Sequence, residues 1–406
     1  MASWRVVPLD SVTTCIIDHR GRTPKKLDGD FAETGVPVVS ARNVKGGRLN
    51  TREGVRFVTP EMYRRWMPVQ LEAGDVLLTS EAPLGEVAFL TDSADLVLGQ
   101  RLFALRANPD VIDPRYLYYS LRSPLIQKRL VARATGTTAQ GIRQSELRRV
   151  EINLPPMDVQ RHIVGRLFGI EGLIESDRRL ASQMDEMVRT RFWLQFGDLL
   201  TSSGGARLTD WVTITNGVSY RSGDLTDGSP AALVTLRSVR RGGGYDPDGL
   251  KPYSGEFRPT QLVLPGEVVV ARTDLTQAGD VVGRPAVVRP SRAHETLIAS
   301  LDLAVVRPRL EWVTAPFLYG LLGTPGWVTH SRGHANGTTV LHLRSSAFEA
   351  HVACPAIEDV ATFSAVAGLW LRLASSAAIE SEVLVSLRDV LLRRLLGRSP
   401  ASDEAA

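Results

Sequence analysis

Residues 71–79 read LEAGDVLLT, and residues 263–271 read VLPGEVVVA. Both have an apolar start, a glycine–acid turn (Gly74-Asp75, Gly266-Glu267) and a run of aliphatic residues. Outward from this pair, further anchors recur in the same order. Residues 38–44 (VVSARNV) answer 234–239 (VTLRSV), and Tyr116-Leu117-Tyr118 before Ser123-Pro124 answers Phe317-Leu318-Tyr319 before Thr324-Pro325. Gly136-Thr137-Thr138 answers Gly337-Thr338-Thr339, and Gly197 and Gly397 close the two copies. The offsets stay between 192 (71 to 263) and 201 (136 to 337). That period is far longer than the roughly 20–50 residues of a solenoid unit, so the chain is a duplicated domain.

Around the anchors each copy reads as mostly β. Apolar runs at 36–40, 76–79, 87–90 and 102–106, and at 232–236, 268–272, 281–282 with 286–288, and 303–307, are separated by Gly, Pro and Asp turns. One helix per copy is expected at 114–123 and 316–323, where proline opens an aromatic-rich segment. From Pro156 the period becomes 3.5. The stripe Ile163, Arg166, Ile170, Leu173, Asp177, Leu180, Met184, Met187, Arg191, Leu194 is matched 200 residues later by Phe363, Val366, Trp370, Leu373, Ala377, Glu380, Leu384, Leu387, Leu391, Arg394. Such heptads predict a coiled-coil seam, and 35 residues at ~1.5 Å each give a rod of about 50 Å.

The second helix has to run back along the first, so an antiparallel pair is expected. Two registers compete. Paired numbers summing to 571 set Asp177 against Arg394 and Arg191 against Glu380, whereas the longer overlap summing to 557 sets Asp177 against Glu380. Charge pairing favours the first and overlap length the second. The fold class is therefore α+β, with two tandem mixed domains at 1–155 and 207–355, each followed by a long helix (156–197 and 356–397). A flexible linker is expected at 198–206, centred on Thr201-Ser202-Ser203-Gly204-Gly205, and a disordered tail at 398–406.

With 406 residues and 43% hydrophobic content the chain has room for two or three cores. Cys15 and Cys354 fall at unmatched places, which suggests neither a disulfide nor a paired metal site but buried thiols in a reducing cytoplasm. No 18-residue apolar run and no signal-peptide pattern are evident, so no membrane partner is expected. The net charge is +4, and residues 1–157 carry 22 Lys+Arg against 17 Asp+Glu. This balance permits a nucleic-acid partner without establishing one. Arginine outnumbers lysine 43 to 5, which suits bidentate contacts to guanine and phosphate and equally reflects a genomic codon bias.

Taken together these features resemble the DNA-specificity subunit of type I restriction-modification enzymes. The resemblance rests on residues 4–12 (WRVVPLDSV), Gly21-Arg22-Thr23-Pro24, residues 71–79, Gly136-Thr137-Thr138 followed by Ile142 and Leu147, and Ile152-Asn153-Leu154-Pro155-Pro156 with Gln160. It implies that each domain is a target-recognition domain reading one half of a split double-stranded DNA site. The two helices would set the gap, since half-sites one turn apart lie about 34–36 Å from each other. It also implies two methyltransferase subunits docked on helices and domains, motor-nuclease subunits joining them, and no chemistry or cofactor of the chain's own. The second copy departs from the pattern: Cys354-Pro355-Ala356 and Val360 stand where the first has Leu154-Pro155-Pro156 and Gln160, and Thr23-Pro24 has no counterpart near Ser222.

Phosphate contacts give affinity and base contacts give sequence choice, so candidates are basic or amide residues in loops. In the first copy these are His19, Arg20, Arg22, Lys25 and Lys26 in a Gly/Pro turn, then Arg42, Asn43 and Lys45, and Arg133, Thr137, Thr138, Gln140 and Arg143 around the Gly-Thr-Thr loop. In the second they are Arg221, Arg237, Ser238, Arg240 and Arg241, then Arg272 and Thr273, and His334, Asn336, Thr338, Thr339 and Arg344. Each group has a bland reading as a solvated loop or a core-positioning turn.

Catalytic patterns are lacking in the sequence. There is no methyltransferase Asn/Asp-Pro-Pro-aromatic motif and no phosphate loop. His330 and His334 lie in a glycine-containing stretch that argues against a helical metal pair, and Asp75 with Glu81 lacks the lysine motif of a nuclease. A protein-binding scaffold of the same architecture is the alternative reading. Charge reversal of Arg42 and Arg237 separates the two, because a scaffold would tolerate it.

Overall fold

The computed structural model describes residues 4–51, 54–93, 95–136, 140–201, 204–276 and 278–397. The chain divides into two compact units, Met1–Glu171 with Ser386–Ala406, and Gly172–Val385. Its helices are α1 (Pro60–Trp66), α2 (Pro114–Arg122), α3 (Pro124–Ala132), α4 (Gln144–Arg148), α5 (Met157–Phe196), α6 (Leu208–Trp211), α7 (Ala315–Leu321), α8 (Pro325–Gly333) and α9 (Ile357–Leu396). Both modules carry the α+β architecture expected from the strand and turn pattern.

In the first unit, β1 (Thr13–Asp18), β2 (Val76–Ser80), β3 (Leu84–Phe89) and β4 (Leu102–Ala107) form an antiparallel sheet in the order β1-β4-β2-β3. The second unit repeats this with β5 (Val212–Asn216), β6 (Val268–Ala271), β7 (Pro285–Val287) and β8 (Leu303–Pro308), in the order β5-β8-β6-β7. Both faces of each sheet are covered, which is why the central strands are apolar without alternation. Val76 and Leu78 join the core under α2 and α3, while Leu77 points to a second core with Trp66 and Val39. Val268 and Val270 face α7 and α8, and Val269 faces the other way.

The duplication extends to single interactions. Buried Asp75 accepts from Arg106 Nε at 2.9 Å and Nη2 at 2.8 Å, and Glu267 accepts from Arg307 Nε at 2.6 Å and Nη2 at 3.0 Å. The same arginines donate to the matched carbonyls of Gln70 and Leu262. Asp75 is thus a structural partner, in keeping with the missing nuclease motif.

The sequence suggested one helix per module before the long one, yet α3 and α8 follow α2 and α7 directly, and α1 precedes them. The cause is local. Ser123 ends α2 and caps α3, and Thr324, two residues past the Leu322 C-cap of α7, caps α8; they accept from Ile126 N and Trp327 N with proline at the first turn. Residues 281–282 are not a strand; their amides are bound by the Asp274 carboxylate.

The two forty-residue helices pair in both units. In the first unit Ile163, Val164 and Leu167 share a core with Leu392 and Leu396. In the second, Ala181 packs with Ala374 and Ala377, and Phe192 meets Phe363 with ring centroids 5.5 Å apart. These pairs sum to 555 and 558 (181 with 374 and 377) and 555 (192 with 363), so the helices adopt the 557 register rather than the charge-paired 571. Close packing along the longer overlap outweighs one like-charge approach. That approach leaves a trace: burial, then Glu380, raises the Asp177 carboxyl above its ordinary value.

The heptad stripe is also half wrong as a seam. Leu173, Leu180, Met187 and Leu194 are 40–79% exposed, whereas Ile174, Ala181, Asp185, Val188 and Phe192 are buried. In the second unit α5 covers a module as well as its partner helix, as the shared core of Val188, Phe192 and Phe317 shows, and a single heptad stripe cannot describe two buried faces.

Three other expectations change. Leu200–Thr201 and Ala206–Arg207 both pair with His351–Val352, so the described ends of the expected linker are bound into a sheet; Ser202 and Ser203 lie outside the described residues. The 398–406 tail also lies outside them. Cys354 is exposed rather than buried, and Cys15 is half-buried, its thiol pushed up by that burial. α9 is long and apolar enough, by length and composition, to cross a membrane. Its apolar content has another use here, since Val360, Phe363 and Ala367 pack in the second core.

Candidate nucleic-acid interface

At one end of the first sheet, loops converge that are distant in sequence. Ser80 N donates to Arg101 O at 2.9 Å, and Ile142 N donates to Ser80 O at 2.9 Å. This joins the end of β2 to the turn before β4 and to the stem of the Gly-Thr-Thr loop. The second sheet repeats the frame: Arg272 N donates to Asp302 O at 2.7 Å, and Leu343 N donates to Arg272 O at 2.7 Å. The backbone is conserved between the copies while the side chains are exchanged: Ser80 against Arg272, and Arg101 against Asp302.

Several candidates from the sequence are committed to holding this frame. Arg20 grips Asp18 through Nε (2.9 Å) and Nη2 (2.8 Å), donates to Ile142 O at 3.1 Å and stacks on Phe103 at 4.0 Å. His19 is buried, and burial followed by the nearby Arg22 cation lowers its pKa, so it suits a neutral role. Arg22 donates to Trp66 O at 2.7 Å and Lys26 to Gly21 O at 2.8 Å, while Lys25 is exposed. Asn43 is 3% exposed; its Oδ1 accepts from Ser40 N and its Nδ2 donates to Asn50 O, so it caps a turn where a base contact was expected. Ser238 is equally buried, accepting from Thr235 N.

Others face outward. Arg42, though bound to Gly54 O, and Lys45, Gln140 and Arg143 are exposed in the first unit, as are Arg221, Arg237, Arg241, Asn336, Thr338, Thr339 and Arg344 in the second. Arg240 and His334 are half-buried. Arg133 donates to Glu146 at 3.2 Å, and Thr137 and Thr138 lie outside the described residues. Arg272 reaches Asn216, Leu343 O at 3.2 Å and Ser345 Oγ at 3.3 Å, and burial lowers its pKa. Thr273 donates to Asp302 at 2.8 Å. His330 and His334 stack with centroids 4.2 Å apart, bonded to the carbonyls of Ala347 and His330 respectively. Among the described residues no group of three or more His, Cys, Asp or Glu side chains could hold a metal.

Sequence reasoning missed Arg101, Asn216 and Asp302, and weighed Glu81 only as a nuclease carboxylate. Arg101 bonds Glu81 at 3.1 Å and has φ +64°, unusual outside glycine. The signal available was the Gly99-Gln100-Arg101 turn just before a strand.

The departure at the start of the second long helix also finds its reason. Gln160 is 1% exposed, donating to Pro155 O at 2.9 Å and Val111 O at 3.2 Å and accepting from Asp113 N at 2.8 Å. It is an internal staple; Val360, its counterpart, fills the second core by apolar contact instead.

Fold and site define a duplicated α+β protein with two loop-built sheet ends and long paired helices. Residues 1–183 match the family described as the type I restriction modification DNA specificity domain. The MjaVIII specificity subunit of Methanocaldococcus jannaschii is 28% identical over 188 residues, covering 45% of this chain and 43% of that protein. The EcoBI specificity subunit of Escherichia coli is 19% identical over 139 residues, covering 34% of this chain and 29% of that one. The matches thus span less than half the length of these relatives. A solved type I S subunit from M. genitalium aligns over 98% of this chain and 96% of that chain at 16% identity, with a TM-score of 0.48. The first half of the chain, residues 1–183, is thus similar to the DNA specificity domain of type I restriction-modification systems.

Proposed function

We propose that the chain reads a bipartite, asymmetric double-stranded DNA sequence and directs catalytic partners to it, performing no chemistry itself. The single observation that carries this reading is the sheet-end frame built twice on one backbone with exchanged side chains, in a chain whose first half matches a DNA-specificity domain. A common frame with Ser80 and Arg101 in one copy and Arg272 and Asp302 in the other is what two readers of different half-sequences require. The exposed arginines, asparagine and threonines near these loops suit phosphate and base-edge contacts. The partners on this reading are two methyltransferase subunits, with motor-nuclease subunits joining them.

The test is selection of a randomised double-stranded DNA pool by the full chain with its methyltransferase partner, at fixed salt and with competitor DNA. Two constant blocks separated by a spacer of fixed length are expected. Binding without sequence preference would refute the proposal.

A further inference from the structure

The candidate readers at 45 and 240–241 adjoin glycine turns, Gly46-Gly47 in the first module and Gly242-Gly243-Gly244 in the second. Both turns need glycine. Gly47, Gly243 and Gly244 have φ of +86°, +93° and +97°. A Cβ on Gly47 would lie 2.6 Å from Tyr118 Oη, and one on Gly243 would lie 2.6 Å from Arg189 Nη1. The backbone of each turn is therefore pressed against specific polar side chains.

Those side chains lead, in both modules, to α5. In the first unit, Tyr118 Oη donates to Gly47 O at 3.1 Å and accepts from Arg122 Nη1 at 2.6 Å. The same guanidinium nitrogen donates at 2.6 Å to Glu171 of α5, whose other oxygen accepts from Tyr119 Oη at 2.8 Å. In the second unit, Arg189 of α5 donates directly to Gly242 O at 2.7 Å. One turn earlier on α5, Asp185 forms a 2.6 Å pair with Arg289, each side chain 2% exposed, and a Cβ on Gly244 would come within 2.9 Å of Asp185 Oδ2. The two arrangements use different residues from different elements, so they are not one inherited contact copied by duplication. They share an outcome: an arginine–carboxylate pair whose carboxylate stands on α5, next to a glycine turn.

Buried ion pairs are weak contributors to stability, because desolvation offsets their attraction, and their best-attested use is to specify geometry. We infer that Glu171 with Arg122 and Tyr118, and Asp185 with Arg189 and Arg289, are positioning residues. Each set holds one module's glycine turn at a fixed height on α5 and thereby sets how that module meets its half-site. This inference rests on the DNA-reading function proposed above.

The experiment uses the full chain with its partner and the randomised duplex pool. Tyr118→Phe and Arg189→Met each delete a hydrogen bond to a glycine turn, and thermal unfolding checks that both variants remain folded. Tyr118→Phe is expected to relax one constant block about fivefold, and Arg189→Met the other, the loss of roughly one hydrogen bond. Each should leave the remaining block as it was, and Arg189→Lys, which can still reach Gly242 O, should restore discrimination. Folded variants that change neither block, or that weaken both together, would overturn the inference while leaving the DNA-reading function intact. A wild-type pool without constant blocks would overturn the function itself and the inference with it.

Discussion

Replacing Asp177 with leucine should stabilise the protein, although it removes a charged residue from a helix that already exposes apolar side chains. In the 557 register Asp177 faces Glu380, and burial followed by that carboxylate raises its pKa. Removing a like-charge approach of this kind is worth ~0.5 kcal/mol. Covering about 40 Å² of additional apolar surface at this helix pair adds ~1 kcal/mol. The total, ~1.5 kcal/mol, corresponds to a rise of about 3–6 °C in Tm for a unit of this size.

The pH dependence has a definite sign. A carboxyl whose folded pKa is raised opposes folding fully above that pKa, and the penalty fades as pH falls through it toward the unfolded value of 3.8. The advantage of Asp177→Leu should therefore be largest at neutral pH and shrink on acidification. Urea unfolding of both proteins across pH measures this directly. A companion check places cysteine pairs at 177 and 380, or at 191 and 380, in a Cys354→Ser background: the first pair should cross-link under mild oxidation and the second should not. Destabilisation by leucine at neutral pH, or preferential cross-linking of 191 to 380, would refute the register argument.

Further outcomes follow from the same geometry. Asp75→Ala leaves Arg106, which is 22% exposed, without its bidentate partner, and should cost about 2 kcal/mol in urea unfolding, less than a fully buried pair; a loss within error would show that the pair does not stabilise the fold. Phe192→Ala should cost about 3–5 kcal/mol, because Phe192 is fully buried and touches Phe196, Phe317 and Phe363; calorimetry showing less than half of that would mean the site collapses around the void. Burial lowers the pKa of His330, so below 6.5 the unfolded chain takes up protons that the folded chain resists, and stability falls with acidification. His330→Phe should flatten that slope, and an unchanged slope would show that other groups carry it.

Much of the fold was legible because its determinants are local. Strand runs, glycine–acid turns and proline-opened helices each depend on a few neighbouring residues, and the duplication made every such signal count twice. The second helices α3 and α8 carry a local signal too, since Ser123-Pro124 and Thr324-Pro325 each read as a cap and a first turn. The candidate site was less so. Arg20 and Arg272 have the composition and loop setting of DNA readers, yet distant groups tie them into the frame, Arg20 by the carbonyl of Ile142 and Arg272 by Leu343 and Ser345, while Asn43 and Ser238 are buried closing local turns with Ser40 and Thr235. Arg101 and Asp302 gave no comparable sequence signal, since their place at the sheet ends comes from pairing with strand ends about 20–30 residues away.

By itself the sequence determined that two α+β modules occur in tandem, each followed by a long amphipathic helix, because secondary structure and repetition are written in residue order. Tertiary structure alone decided the helix register, the second buried face of α5 and which arginines turn inward. Those choices compare packing, desolvation and charge among residues as far apart as Ala181 and Ala374, and no local window of sequence contains both sides of that comparison.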